Sequence, residues 1–204
     1  MIAERLELAD WRRQVSELYV AIRAEPDPAV GWTHWREVRD RLFRTHSQSP
    51  VPQGERGDAT APIYYEYDPG LRTVAEVEPA DGATFELPGS TSGHVTAERA
   101  GTARFVLGDQ SVGLSMFWLL DYAGGLFLSF RDASSGGETY GAGRYLLDTA
   151  KGADLGVTGA GRLILDFNFA YQPSCSYDPQ WSCPLPPREN WLAIPIRGGE
   201  RFRS

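Results

Sequence analysis

Carboxylates, amides and arginines gather in two stretches of this 204-residue chain. The first, FRDASSGGETYGAGRYL, spans residues 130–146; the second, FAYQPSCSYDPQWSCPLPPREN, spans 169–190 and follows Asp166 and Asn168 closely. In the first, Arg144 stands near Asp132 and Glu138, among glycines that permit close backbone approach. An arginine steadied by carboxylates can offer its fork to a substrate carboxylate or phosphate. The plainer reading is that Arg144 pairs with Asp132 or Glu138 and pins a glycine-rich loop. In the second, the only two asparagines of the chain, Asn168 and Asn190, lie near Asp166 and Glu189. If Asp166 and Asn168 share a face that lines a cavity, a desolvated carboxylate there has a raised pKa and can serve as general acid or base.

These residues make a candidate site. Asp166, Glu189, Tyr140 and Glu138 are the catalytic candidates. Arg144, Asn168, Asn190, Tyr171, Asp132 and Trp181 are the binding candidates, with Trp181 and Trp191 as apolar walls. Long connections on a rigid sheet are where function concentrates.

Several chemistries lack their signatures. The glycine-rich stretch has no Lys-Ser/Thr for a phosphate-binding loop, and Gly141-x-Gly143 has no third glycine in register for a dinucleotide. Neither a G-x-S-x-G elbow nor H-E-x-x-H occurs. The expectation is therefore chemistry without metal or cofactor. Cys175 and Cys183, eight apart, fit two packed thiols or a disulfide. A metal site would need His46, Asp166 or Glu189 in addition, since zinc-type CxxC spacing is absent. Of the three histidines, His46 at the end of a helical segment is the one worth testing.

The net charge of −7 disfavours nucleic acid as a partner, because phosphate binding wants a basic face. No apolar run approaches the ~18 residues of a membrane span, and the opening MIAERLELADWRR is charged where an export signal would be apolar. A cytoplasmic protein that does not enter the membrane is the expectation.

The elements that must position the candidates change character along the chain. Leu8, Trp11, Val15, Leu18, Tyr19 and Ile22 recur at helical spacing, predicting a helix over 3–24. Glu25-Pro26-Asp27-Pro28 breaks it. A second helix is predicted from about Gly31 to His46, burying Trp32, Trp35, Val38, Leu42 and Phe43. Residues 1–50 thus form a helical N-terminal arm, and 51–204 a β domain, the two making one structural unit. Residues 51–61 read as a loop. Strands are predicted at 62–67, 72–78, 83–87, 93–99, 102–107, 112–120, 125–131, 161–169 and 191–197, separated by turn signals such as Asp68-Pro69-Gly70, Arg99-Ala100-Gly101, Gly108-Asp109 and Ala123-Gly124-Gly125. The fold class is mainly β (α+β): an antiparallel β-barrel or bent sandwich with two N-terminal helices.

A resemblance rests on many motifs in order. They are His46-x-x-Ser49-Pro50, Tyr67-Asp68-Pro69, Phe130-x-Asp132 through Gly143-Arg144-Tyr145-Leu146, Asp166-Phe167-Asn168-x-Ala170-Tyr171, and Cys175-x-Tyr177 through Cys183-Pro184-Leu185-Pro186-Pro187-x-Glu189-Asn190. The chain resembles the family catalogued as domain of unknown function 1684, from the second helix onward. The resemblance implies that the motif block is shared by many proteins, and it names no reaction. It also implies departures here: Ala133-Ser134-Ser135 where a threonine is expected, and Phe169 and Gln172 in place of an arginine and an asparagine.

Two functions fit. The first is an enzyme that binds a small molecule of unknown class and uses the carboxylate, Asn and Arg groups for acid–base work. The second is a non-catalytic ligand-binding or oligomerising module whose motif block is structural, with the helical arm as a possible homodimer contact through Trp11, Trp32 and Trp35.

Overall fold

A computed structural model describes residues 2–58, 60–91, 93–120 and 124–202. Ala59 of the predicted loop and Ala123 of the predicted Ala123-Gly124-Gly125 turn lie outside the described residues.

Helix α1 (Ile2–Ala24) carries its apolar stripe inward at Leu18, Tyr19 and Ile22. Helix α2 spans Pro28–Thr45, three residues earlier than its predicted start. The reason is a cap at Asp27, whose carboxylate accepts from the Ala29 N–H at 2.9 Å, followed by proline at the first helical position. Trp35 is fully buried against Tyr64 and Phe169, with ring centroids 5.3 Å from each. Leu18, Tyr19, Ile22, Trp32, Trp35, Val38 and Leu42 form one apolar cluster with Ala153 and Phe169 of the β portion. The arm's stripe is thereby joined to the sheet.

The strands are β1 (Ile63–Tyr64), β2 (Arg72–Pro79), β3 (Thr84–Pro88), β4 (His94–Leu107), β5 (Gln110–Leu119), β6 (Gly125–Phe130), β7 (Arg144–Asp148), β8 (Leu163–Asp166) and β9 (Glu200–Arg201). Seven of them make one antiparallel sheet in the order β7-β6-β5-β4-β2-β8, with β3 on the early half of β4. This sheet curls into a half-barrel. Its β7 side is tied to the chain beyond β8 by a two-way bridge, Tyr145 N to Tyr171 O at 2.8 Å and Tyr171 N to Tyr145 O at 3.0 Å. The mainly β class with two N-terminal helices is the architecture found. Inside the curl, Phe105, Leu114, Leu128, Phe130, Leu165 and Phe167 form the largest core cluster.

Several boundaries differ from the sequence reading, each for a physical reason. The predicted strands 93–99 and 102–107 are one strand, because Arg99-Ala100-Gly101 is a bulge and not a turn. A Cβ at Gly101 would stand 2.6 Å from the Glu78 carbonyl oxygen, so the neighbouring strand leaves room only for glycine. Strand β7 escaped the period-two reading because all five of its residues are buried and nothing alternates. The predicted strand 161–169 stops at Asp166, whose carboxylate takes the Asn168 N–H at 3.0 Å and turns Phe167–Phe169 into a 3-10 turn. Residues 191–197 are not a strand, and 62–67 shortens to β1, which pairs with β9 in the register Ile63↔Arg201. No described helix is long and apolar enough to cross a membrane.

Gly101→Ala is expected to lower stability by roughly 1–3 kcal/mol through backbone displacement at the bulge, read as a lower denaturant midpoint with unchanged slope.

Candidate functional site

The irregular stretch 188–201 leaves many buried backbone groups without ladder partners, and the candidate side chains meet them. Arg144 is fully buried at the start of β7. Its Nη1 donates to the carbonyls of Gly198 and Glu200, and its Nη2 donates to Ile196 O and to Asp132 Oδ2, each at 2.8 Å. Its Nε has no acceptor among the described residues. Asp132, also buried, accepts from Ser134 N at 2.8 Å, from the Ser134 hydroxyl and from Ile196 N at 3.2 Å. Both terminal nitrogens of Arg144 are engaged inside the protein.

Both asparagines act as pieces of backbone. Asn168 accepts from Asp68 N at 2.9 Å and donates to Asp68 O at 2.8 Å, as a strand neighbour would. Asn190 accepts from Ser115 N at 2.8 Å and donates to Ser115 O and Ser129 O, each at 2.9 Å. It fills the gap where β5 and β6 part beyond the Phe117↔Phe127 pair. Asp166 is fully buried, pairs with Arg72 at 3.2 Å and accepts from Asn168 and Tyr67. Burial pushes its carboxyl pKa up, against the opposing pull of the Asn168 bonds and Arg72.

Other candidates lie on separate faces. Glu138 is exposed in a bidentate pair with Arg197 and accepts from Tyr65 OH at 3.1 Å. The Arg197 bonds hold its pKa down at about 2, despite some desolvation. Glu189 pairs with Arg99 at 2.8 Å. Tyr140 places its hydroxyl 3.7 Å from the Cys175 sulfur. His46 contacts Asp10 at 3.2 Å, remote from both thiols in its bonding. Among the described residues no three His, Cys, Asp or Glu side chains gather as a metal set. None of Asp166, Asn168, Arg144 and Glu189 belongs to the lining of the cleft beside the helical arm.

A cavity exists elsewhere. A cleft of about 290 Å³ opens between the helical arm and the loop 171–184. Trp11, Tyr19, Phe43, Tyr145, Tyr171 and Trp181 give it aromatic walls. Of the sequence candidates it holds Tyr171 and Trp181. Arg12, Arg39 and Lys151 are the charged residues of its lining, and no carboxylate belongs to it. The partners of two of them lie beneath the surface. Glu200, fully buried, pairs with Arg39 and accepts from Gln172 N and Tyr177 OH; Asp148, buried, pairs with Lys151 at 2.7 Å. Arg39 is further held over the rings of Trp35, Phe43 and Tyr171, 4.9–5.0 Å from their centroids. Burial raises the Tyr171 hydroxyl pKa well above its usual value.

Sequence reasoning passed over Arg39, Tyr145, Lys151 and Cys183 as cleft residues. The available signal was Leu8, Trp11 and Val15, a continuation of the α1 stripe past the part that the barrel covers.

The family model described as Protein of unknown function (DUF1684) matches residues 61–201. The chain belongs to this family. A solution NMR structure of an uncharacterised protein from Haloarcula marismortui is similar, at 34% identity and a TM-score of 0.62, covering 85% of this chain and 93% of that one. No curated protein matches. The family match begins after the helical arm, so the half of the cleft supplied by Leu8 to Pro50 lies outside the matched stretch. Asp132, Arg144, Asp166, Asn168 and Asn190, all within the matched stretch, are the ties that hold the irregular C-terminal third.

Arg144→Met should cost about 3–5 kcal/mol, since it strands buried Asp132 and orphans three carbonyls. Adding Asp132→Asn should recover part of that loss in a double-mutant cycle read by chemical denaturation.

Proposed function

We propose that this protein binds a small, largely apolar molecule carrying one negative charge, in the cleft between the helical arm and the loop 171–184. The observation that carries this reading is the lining. Aromatic rings form its walls, the charged side chains among them are Arg12, Arg39 and Lys151, and no acid is present. The buried positions of Glu200 and Asp148 leave the cations nearer to an occupant than their partners are. In a site walled by apolar groups, a few polar contacts orient the ligand while ring burial supplies affinity. The volume suits an aryl or short acyl carboxylate, near the lower end of the roughly 300–1,000 Å³ of small-molecule sites.

Acid–base catalysis by Asp166, Glu189, Tyr140 or Glu138 draws no support from these positions. Asp166 is sealed and paired, while Glu138 and Glu189 are committed to arginines on other faces. The motif block reads better as the frame of a binding module.

The test uses the whole chain with benzoate, phenylacetate and octanoate, each beside its uncharged amide, in thermal-shift and calorimetric titrations. A carboxylate is expected to raise Tm with dose while its amide does so less. Arg12→Met should weaken the carboxylate about tenfold, the value of one charge-assisted contact, and leave the amide unchanged. Trp181→Ala should weaken both. If no carboxylate stabilises at millimolar concentration, or acids and amides act alike, the reading is wrong.

A further inference from the structure

Cys183 lines this cleft, and Cys175 packs on the same apolar cluster as Cys183. Cys183 is buried in the cluster of Leu87, Phe117, Phe127 and Tyr145, and half-buried Cys175 packs against the same cluster. The Tyr140 hydroxyl stands 3.7 Å from the Cys175 sulfur. The Cys183 backbone is tethered from outside the loop that joins them. Cys183 N donates to Ser90 Oγ at 3.0 Å, Ser90 N donates to Cys183 O at 2.9 Å, and Leu185 N donates to Pro88 O at 2.7 Å. Cys175 sits in the 3-10 turn Ser174–Ser176, closed by Ser176 N to Pro173 O at 2.9 Å. Two thiols thus pack on one apolar cluster, one of them partly open to solvent.

We propose that Cys175 and Cys183 form a reversible oxidation site, in which Cys175 is attacked first by a hydroperoxide and Cys183 resolves the product to a disulfide. The Cys175 sulfur, as thiolate, attacks hydrogen peroxide; an S–O bond forms, the O–O bond breaks and hydroxide leaves. Cys183 then gives its proton to the departing oxygen and its sulfur to Cys175. An S–S bond forms, the S–O bond breaks, and water leaves. In sum, two thiols and one peroxide give one disulfide and two waters. The order of attack follows from the surroundings. Bonds from Cys183, Ser90 and the Tyr140 hydroxyl stabilise the Cys175 thiolate and lower its pKa to about 6, while Cys183 is pushed the other way by that same bond and by burial. A low-pKa, accessible thiol beside a resolving partner is the pattern of a reversible thiol sensor. The inference stands whether or not a ligand occupies the cleft.

The sequence makes the test clean. No lysine or arginine occurs between Arg162 and Arg188, so trypsin leaves both cysteines on one peptide, whereas Tyr177 and Trp181 give chymotrypsin cuts between them. After equimolar hydrogen peroxide, the tryptic peptide of the native protein is expected to lose two hydrogens. Its chymotryptic halves should stay joined until dithiothreitol parts them. Cys183→Ser should gain one oxygen at Cys175 and be trapped by dimedone; Cys175→Ser should gain neither modification at that dose. An unchanged mass, a link between two chains, or Cys183 oxidised first overturns the proposal. Should a variant fail to fold, the native peptide alone still decides between linkage and none.

Discussion

The charge of Arg144, sealed inside the protein, is the constraint around which the C-terminal third is arranged. A guanidinium removed from water must find acceptors for its donors or it will not stay buried. Here the acceptors are the carbonyls of Ile196, Gly198 and Glu200 and the carboxylate of Asp132. The dependence is mutual, because that segment forms no continuous ladder and its carbonyls need donors as much as the arginine needs acceptors. The same accounting explains Asp132, which collects the Ser134 and Ile196 N–H groups on its free oxygen. A fork with fixed geometry sets the path of the chain more tightly than an apolar contact would.

Asn168 and Asn190 extend this device. A primary amide presents one acceptor and two donors, the same complement that a strand edge needs. Asn168 thereby stands in for a strand beside Asp68, and Asn190 bridges β5 and β6 where they diverge. With the polar framework settled in this way, the helical arm is free to lean on the half-barrel through Trp35, Phe169 and Tyr64 while leaving a cleft at its other end. Framework and cleft touch at Glu200. Its backbone carbonyl serves Arg144, and its carboxylate serves Arg39 in the cleft wall.

The class of the fold was legible in the sequence wherever one face of an element is wet. The α1 and α2 stripes and the alternating strands gave the helices and most of the sheet. Legibility failed where burial is uniform, as in β7, and where a side chain overrides the backbone, as Asp166 does when it ends β8. It failed again at 191–197, whose alternating Leu192, Ile194 and Ile196 mimic a strand: Leu192 and Ile194 do bond the backbone of Arg131 and Ala133, but Arg144 and Asp132 take the backbone groups of Ile196. At the candidate site the sequence marked Asp132, Arg144, Asp166, Asn168 and Asn190, which are buried and hydrogen-bonded within the chain. It could not tell a group aimed at a ligand from one aimed at the chain's own amides, since the chemical demand is the same. The cleft itself arises from elements distant in sequence, and residues such as Arg39 and Lys151 gain meaning only when α2 and the turn after β7 are brought together.

The pairing of β1 with β9 joins Ile63–Tyr64 to Glu200–Arg201 across most of the chain. Arg144 is synthesised before Ile196, Gly198 and Glu200, whose carbonyls receive its donors. The arginine must therefore wait, hydrated, on an unfinished half-barrel, and the interior can dry only when the last tie arrives. A chain interrupted shortly before that point carries nearly all of its hydrophobic core and still cannot bury its own charge. Burial of this charge is therefore governed by desolvation and not by the amount of apolar surface made.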